Sequence, residues 1–422
     1  MKTTLKLMVF LFTVCATADA QVVPEATGPA GPPVSGNLHY AVRYSQTAEF
    51  GGGLGDWQTA NASADAGYAN GNTRLPFSLN YAGGYSWTIA GPSYSTGFFQ
   101  RLSLSQGIVW RKWNVIASDD VSYTPQAPTT GFSGIPGIGG PIGEPSPAPP
   151  SSQSILTLNT HAVNNTANGE VQRSLNSATT LSVGGSSNLL RYPDGNGYDT
   201  DSLMANAGLT RRLNARNSLS GQYSYSHRSY PGYSVTFGTS TALFSYNRQW
   251  TRRLSTNAGA GPEWIRSSAS ASSSTAGELP PTATVPNSTR ISGNAGVDYH
   301  MRFGAASLRY NHGTNGGAGY LIGAENDTVG ANFSREFDKN LTVGFTGSYL
   351  RTAGLNGNGV TNGKYGGVQA SRRLGRYMSV FANYTAMDQS SSSTLFTNAL
   401  NGLTQVIGFG IGYSPRETHL RH

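Results

Sequence analysis

Cysteine is almost absent from this sequence: the single example, Cys15, lies in an apolar segment near the start of the chain. The rest of the chain therefore has no disulfide framework and no cysteine-ligated metal site. Lipid attachment at Cys15 would need a small residue directly before it, and Val14 stands there instead. We therefore expect no lipid anchor.

Charged residues are also scarce, at 12% of the chain, which is about half the share found in ordinary soluble proteins. So few charges suit a protein with one face toward lipid and the other lined by hydroxyl and amide groups. The net charge of +8 is not clustered into a basic patch, so nucleic acid is not an expected partner.

Long apolar runs are missing after the N-terminal segment, and a membrane-spanning helix would need roughly 20 apolar residues. The first 20 residues have the pattern of a cleavable signal peptide. Lys2 and Lys6 precede the apolar stretch, and Ala18 and Ala20 are small residues at the positions read by signal peptidase. We expect cleavage before Gln21, followed by a disordered, proline-containing periplasmic lead-in over 21–36.

Strict alternation of apolar and polar or small residues recurs along the remaining chain and predicts β-strands. The clearest run is the last, where Ile407, Phe409, Ile411 and Tyr413 share one face and glycines occupy the other. Each run is about 10 residues long, which is enough for a tilted strand to cross a bilayer. Because backbone groups cannot remain unpaired in lipid, such strands must close into a barrel.

Short connections between these runs place basic residues around one bulky apolar residue, as at 211–216, 248–253, 335–340 and 372–377, and more weakly at 110–113 and 301–304. We interpret them as tight hairpin turns. Their basic residues would reach lipid phosphates while the apolar residue lies at the membrane interface. The predicted interfacial residues are Trp110, Trp113, Leu213, Trp250, Phe337 and Leu374.

Longer connections rich in Gly, Ser, Asn and Pro alternate with the short turns, at about 47–59, 87–97, 125–153, 188–200, 230–236, 266–288, 315–325, 353–363 and 389–402. Short turns at one rim and long loops at the other are typical of transmembrane barrels. The runs between 37 and 414 predict an all-β, antiparallel up-and-down barrel of about 18 strands. Counts of 16 or 14 are the alternatives, since 60–86 and 154–187 are weakly patterned. An even count puts both barrel ends in the periplasm, with 415–422 as a periplasmic tail.

The signal peptide, the hairpin repeat and the final alternating strand together resemble bacterial porin-like outer-membrane β-barrels. The resemblance covers essentially the whole chain after residue 20. It implies that Ile407, Phe409, Ile411 and Tyr413 form the C-terminal strand read by the barrel-assembly machinery, although family members commonly end on the aromatic residue itself. It also implies outer-membrane lipid as a partner and allows a homotrimer. A trimer would need a flat wall of small residues, which the glycine-rich strand over 404–413 suggests.

Two loops hold candidate sites. The proline-rich loop over 125–153 is the third exterior loop by this count, and an inward fold would make Ile135, Ile138, Ile142 and Glu144 a lumen constriction; the alternative is a mobile exterior loop. The segment with Asp194, Asn196, Asp199 and Asp201 concentrates oxygen ligands but departs from the EF-hand spacing. A solvated turn is the better interpretation, so we expect no metal and no cofactor.

Catalytic motifs are missing: the sequence contains no Gly-x-Ser-x-Gly elbow, HExxH motif or P-loop. We therefore predict a non-enzymatic, porin-like channel for passive diffusion of small polar solutes. Basic residues such as Arg266, Arg302 and Arg351 indicate a mild anion preference if they face the lumen. The alternatives are a non-conducting barrel that acts through its exterior loops and, less favoured, an outer-membrane hydrolase that pairs a serine with His161 or His227.

Overall fold

The fold is seen in a computed structural model, which describes residues 37–51, 56–70, 72–91, 96–126, 160–195, 198–231, 235–269, 286–317, 321–357, 359–392, 401–415 and 418–419. The predicted signal peptide and lead-in lie outside these residues. So do Ile135, Ile138, Ile142 and Glu144 of the predicted constriction. Within the described ranges, no helix has the length and apolar character needed to cross a membrane.

Antiparallel strands account for most of the described chain. In chain order, β1 to β18 are Asn37–Gly51, Trp57–Ala69, Phe77–Ala90, Gly97–Val109, Trp113–Gln126, Thr160–Ser174, Thr179–Arg191, Thr200–Arg212, Asn217–Tyr230, Val235–Gln249, Leu254–Ala269, Ser288–Met301, Gly304–Asn315, Ala324–Asp338, Leu341–Gly354, Val360–Leu374, Met378–Ser391 and Gly402–Tyr413. A two-residue strand, β19 (Thr418–His419), pairs with the start of β1.

The sheet closes on itself, because β1 pairs with β2 on one side and with β18 on the other. The first pairing sets Tyr44 opposite Ala62, and the second sets it opposite Ile411. Every other strand pairs with its neighbours in the chain. A closed barrel leaves no unpaired edge. The predicted count of 18 strands is confirmed, and the alternatives of 16 and 14 are not observed.

The two rims differ in the way the sequence predicts. One rim carries the short turns, including 110–112, 213–216, 250–253 and 375–377, and also the start of β1 and the end of β18. We call it the short-turn rim. The strand ends at the opposite rim, here the long-loop rim, flank the remaining connections, such as 192–199, 270–287 and 316–323.

The two faces of the wall alternate residue by residue, as the strand pleat requires. Side chains pointing out are large and apolar and remain exposed, as for Ile407, Phe409 and Ile411 of β18. Many of those pointing in are polar and buried, such as Ser45 and Thr47 of β1, and apolar side chains such as Phe99, Leu350 and Met387 lie among them. A barrel that is apolar outside and polar inside is physically suited to lipid around it and water within it.

One correction concerns the wall suggested for a trimer. The glycines of β18 alternate with Ile407, Phe409 and Ile411, which point out, so Gly408, Gly410 and Gly412 face the interior. The strand over 404–413 therefore offers large apolar side chains to its surroundings. It is not a flat surface of small residues.

The regular cylinder breaks at one place near the long-loop rim. Pairing between β12 and β13 ends at Gly293 and His312, yet β13 continues to Asn315, paired only with β14. The end of the β13–β14 hairpin thus leaves the wall. We call this end, residues 313–317 and 321–325, the inward tip, for the contacts given below.

Candidate functional site

The inner face of the barrel is the surface with an evident chemical character. Its buried polar side chains are overwhelmingly hydroxyls and amides, contributed by strands all around the barrel: Ser45, Thr47, Thr59, Asn61, Ser86, Ser186, Asn206, Ser226, Thr239, Asn326, Thr352, Thr361, Ser379, Thr385, Gln389 and Thr404. These groups both donate and accept hydrogen bonds.

Hydrogen bonds join these groups between neighbouring strands. The hydroxyls of Ser226 and Thr239 lie 2.6 Å apart, and the amide of Asn188 donates to Asn164 at 2.8 Å and to Thr166 at 2.7 Å. The lining is therefore a cross-linked polar surface rather than a set of isolated side chains.

Several charged side chains on the inner face occur in opposite-sign pairs. A guanidinium nitrogen of Arg43 lies 2.9 Å from the carboxylate of Asp65, and Arg101 lies 2.8 Å from Asp120. The Asp120 carboxylate also accepts a hydrogen bond from Ser103. Each pair joins two strands that are consecutive in the chain.

Basic and acidic residues on the inner face of the described strands are equal in number. Strand parity and register assign to it Arg43, Arg101, Arg212, Arg228, Arg290, Arg309 and Arg373 on the basic side, and Glu49, Asp65, Asp120, Glu170, Glu263, Asp298 and Glu336 on the acidic side. The interior thus carries little net charge.

This assignment corrects the sequence-based interpretation of the basic residues. Arg266 pairs with Gly238 and alternates with Ile265, which is buried inside, so Arg266 points out. Arg351 alternates with the buried Leu350 and Thr352 and also belongs to the outer face. Arg302 lies in a short turn. These three arginines therefore do not support the predicted mild anion preference.

The inward tip makes its closest hydrogen bonds with Tyr230, at the end of β9. The Tyr230 hydroxyl donates to the carbonyl oxygen of Gly316 at 2.8 Å and accepts from the amide of Gly323 at 2.9 Å. Tyr230 points inward, as its alternation with outward Tyr223 and Tyr225 shows. A tip held by an inward side chain of β9 lies inside the wall.

Apolar packing supports the same placement. Ile322 of the tip packs with Tyr230, Val235, Phe237 and Ile265, which are inward side chains of β9, β10 and β11, and with Leu355. All six side chains are almost fully buried. Burying a side chain of this size stabilises a structure by about 1.5–3 kcal/mol, so the tip is a packed element and not a loose loop.

Polar contacts fix the two strands that lead into the tip. The hydroxyl of Thr314 donates to the carboxylate of Glu263 on β11 at 2.9 Å. Glu325 forms an ion pair with Arg290 of β12. Both partners belong to the inner face, so the hairpin crosses in front of β11 and β12.

A cluster of ionisable groups lies at the base of the tip. The His312 ring nitrogen lies 2.7 Å from Asp327, and ligand atoms of His312, Glu325 and Asp327 all lie within 4.8 Å of one another. Three such donors could hold a cation. However, Asp327 is also contacted by Arg351 at 3.4 Å and accepts a hydrogen bond from Tyr310, and these contacts supply the charge and donors that it needs.

The oxygen-rich segment at 194–201 has protein partners. Asp194 accepts hydrogen bonds from His161, which hold the pKa of the Asp194 carboxyl below its usual value. Asp199 accepts from the amide of Tyr192, and Asp201 pairs with Arg191 at 2.5 Å. Asn196 lies outside the described residues. Asp199 also lies 3.8 Å from Arg191, so Asp199 and Asp201 share one guanidinium while Asp194 binds His161.

The surroundings of His161 and His227 do not support the serine–histidine pair that a hydrolase would need. The His161 ring contacts Asp194 at 2.6 Å and stacks on Tyr123 at a centroid distance of 5.8 Å. His227 stands opposite Leu203 in the outer face of β9. The partner of His161 is thus a carboxylate, and the described contacts assign it no serine.

The predicted interfacial residues lie at the short-turn rim, where several are joined to arginines. The Arg248 guanidinium lies 3.7 Å from the ring centroid of Trp250, Arg173 lies 4.8 Å from that of Trp113, and Arg335 lies 5.2 Å from that of Phe337. The remaining three are exposed: Trp110, Leu213 and Leu374. Their contact with lipid remains a prediction.

Comparisons with known proteins give a likeness of fold only. No family model matches the chain, and no curated protein matches it. Among solved structures, OccK2 (OpdF) of Pseudomonas aeruginosa has a TM-score of 0.48 at 12% identity, covering 92% of this chain and 100% of that one. OccAB4 of Acinetobacter baumannii has a TM-score of 0.48 at 6% identity, covering 92% and 99%. OprD of Pseudomonas aeruginosa has a TM-score of 0.43 at 10% identity, covering 94% and 99%.

The inward tip is the element that the sequence analysis missed. The sequence indicates an exterior loop over 315–325, and an inward fold is one of two alternatives only for the third loop, 125–153. One signal was available: Leu321 and Ile322 are adjacent large apolar residues in a connection rich in glycine. An apolar pair in an exterior loop needs a partner surface.

Proposed function

We propose that this protein is an outer-membrane channel for passive diffusion of small polar solutes. The observation that carries the proposal is the closed 18-stranded wall with an apolar outer face and an inner face rich in hydroxyls and amides. A barrel of this size is wide enough to leave an aqueous interior. The inward tip narrows the interior from the long-loop rim.

The rival function is that of a non-conducting barrel that acts through its exterior loops. An inner face of hydrogen-bonding groups on all sides favours the channel, because a purely structural barrel gains nothing from a wettable interior. Among the described residues, the contacts of the inward tip with the wall given above are with β9 to β12.

Conductance tests the proposal directly. The purified, refolded protein should produce stepwise currents in planar bilayers and should let small sugars swell liposomes. Strand content by circular dichroism, together with resistance of the folded form to SDS before heating, establishes that the barrel is folded. A folded barrel that produces neither current nor swelling would overturn the proposal.

The same proposal places the short-turn rim in the periplasm and the long loops outside the cell. The only native cysteine is Cys15, which lies in the predicted signal peptide. A single cysteine introduced elsewhere is therefore the only thiol expected to be labelled in the cleaved protein. Pro193→Cys, in a long loop, should react with an impermeant maleimide on intact cells, and Ser177→Cys, in a short turn, should react only after lysis. The reverse pattern would contradict this orientation.

A further inference from the structure

The chemistry of the inner face indicates which solutes the channel admits. Serine, threonine and asparagine side chains line the wall and already bond one another, as Thr47 does with Thr59 at 2.5 Å. A hydroxyl group can either donate or accept a hydrogen bond. A solute covered with its own hydroxyls can therefore replace its hydration by wall contacts at little cost.

Ionic solutes meet a different situation. Fixed charges select ions when rings or rows of one sign line a pore. Here four of the seven inner arginines lie against carboxylates; for example, Arg101 pairs with Asp120, and Arg309 lies 3.4 Å from Asp298. The field of a close opposite pair falls off much faster than that of a single charge.

The inward tip does not change this balance. Its charged residue Glu325 is paired with Arg290, and its contacts with β9 are made by backbone groups of Gly316 and Gly323. Arg228, beside it, lies over the Phe237 ring at 5.5 Å and donates to Ser226. The narrowed side of the lumen is therefore bordered by backbone groups, the Glu325–Arg290 ion pair and the guanidinium of Arg228.

We infer that the channel admits uncharged polyhydroxylated solutes, of the sugar or polyol class, in preference to ions of the same size. The inference rests on the proposed channel function and adds its substrate class. It predicts a pore with weak selectivity between small cations and anions.

Two measurements on the wild-type protein test the inference. In liposome swelling, glucose should enter several-fold faster than gluconate or protonated glucosamine, which have similar size and opposite charges. In a KCl gradient, the cation-to-anion permeability ratio should lie within about twofold of unity, because the described strands place no ring of single-sign charges around the pore.

A matched pair of variants tests whether charge pairing on the inner face causes the weak ion selectivity. Asp120 points inward and pairs with Arg101, whereas Asp119, its neighbour in β5, points outward and accepts from Asn165 at 2.8 Å. Asp120→Asn should release the Arg101 charge into the lumen and shift the reversal potential toward anions. Asp119→Asn removes the same charge from the other face and should leave the reversal potential unchanged.

The outcomes separate the two claims. No current and no swelling would overturn the proposed channel. Current together with faster entry of gluconate or of glucosamine than of glucose would retain the channel and overturn the inference. A reversal potential that Asp120→Asn leaves unchanged would also contradict it, and the wild-type comparison decides the matter if that variant does not fold.

Discussion

The Tyr230 hydroxyl donates a hydrogen bond to the carbonyl oxygen of Gly316 at 2.8 Å, across 86 residues of chain. The Tyr230 hydroxyl oxygen also accepts a hydrogen bond from the amide of Gly323 at 2.9 Å. One side chain on β9 therefore holds both ends of the connection between β13 and β14. Tyr230 is only 2% exposed, so water cannot replace these bonds without opening the packing around the tip.

Replacing Tyr230 by Phe should loosen the inward tip while leaving the barrel closed. The variant keeps the ring but leaves the carbonyl of Gly316 and the amide of Gly323 without this partner, and a buried unpaired group costs about 1–3 kcal/mol. We expect larger current fluctuations in bilayers and faster proteolysis near the tip. Tyr225→Phe is the control, because Tyr225 lies on the same strand and points out. Equal behaviour of the two variants would show that the hydroxyl does not hold the tip.

Replacing Gly323 by Ala should disturb the tip through both backbone and packing. Gly323 has a φ of +73°, and an added Cβ would lie 2.9 Å from Leu355 and 3.1 Å from Phe237. The backbone conformation alone costs an alanine about 1–2 kcal/mol. Gly357 has a φ of +78° and open space around the same position, so Gly357→Ala carries the backbone cost alone. Unfolding in urea with phospholipid vesicles should show the larger loss for Gly323→Ala, and equal losses would contradict the packing argument.

The sequence was sufficient for the parts of the fold that are governed by local alternation. Residues such as Ile407 and Phe409 alternate with glycine regardless of what lies across the barrel, so strands and strand number could be predicted. Whether Arg351 points in or out could not be predicted, because alternation along a strand does not show which of its two faces is the inner one. The pairing of Arg101 with Asp120 and the contact of Tyr230 with Gly316 depend on register and on a long-range fold. Neither contact produces a periodic pattern in the sequence from which it could be predicted.

Replacing Arg248 by Gln should weaken the short-turn rim slightly. The guanidinium lies 3.7 Å from the Trp250 ring centroid, and a cation–π contact at an exposed site contributes about 0.5–1 kcal/mol. The free energy of unfolding in vesicles should fall by about this amount. Arg216→Gln, in the preceding short turn, removes a charge for which the described residues show no ring contact. A similar loss in both variants would assign the effect to charge rather than to stacking.

Replacing Asp119 by Leu tests what covers the wall around β5 and β6. Asp119 points out beside Leu104, and the residue opposite it on β6 is Ala167. A carboxylate facing hydrocarbon is unfavourable, though less so than a lysine or arginine, so its removal should raise the free energy of unfolding in vesicles by about 1 kcal/mol.

The control for this prediction is Asp120→Leu, which alters the inner face and should not stabilise the barrel, because it leaves Arg101 unpaired. A stabilised Asp119→Leu variant of unchanged mass in detergent would mean that lipid covers this wall. A destabilised variant whose mass falls to that of one chain would mean instead that the carboxylate contacts a second copy. The predicted homotrimer would then have its interface at β5 and β6 rather than at β18, since small outward residues such as Ala167 permit close approach there while the aromatic side chains of β18 do not.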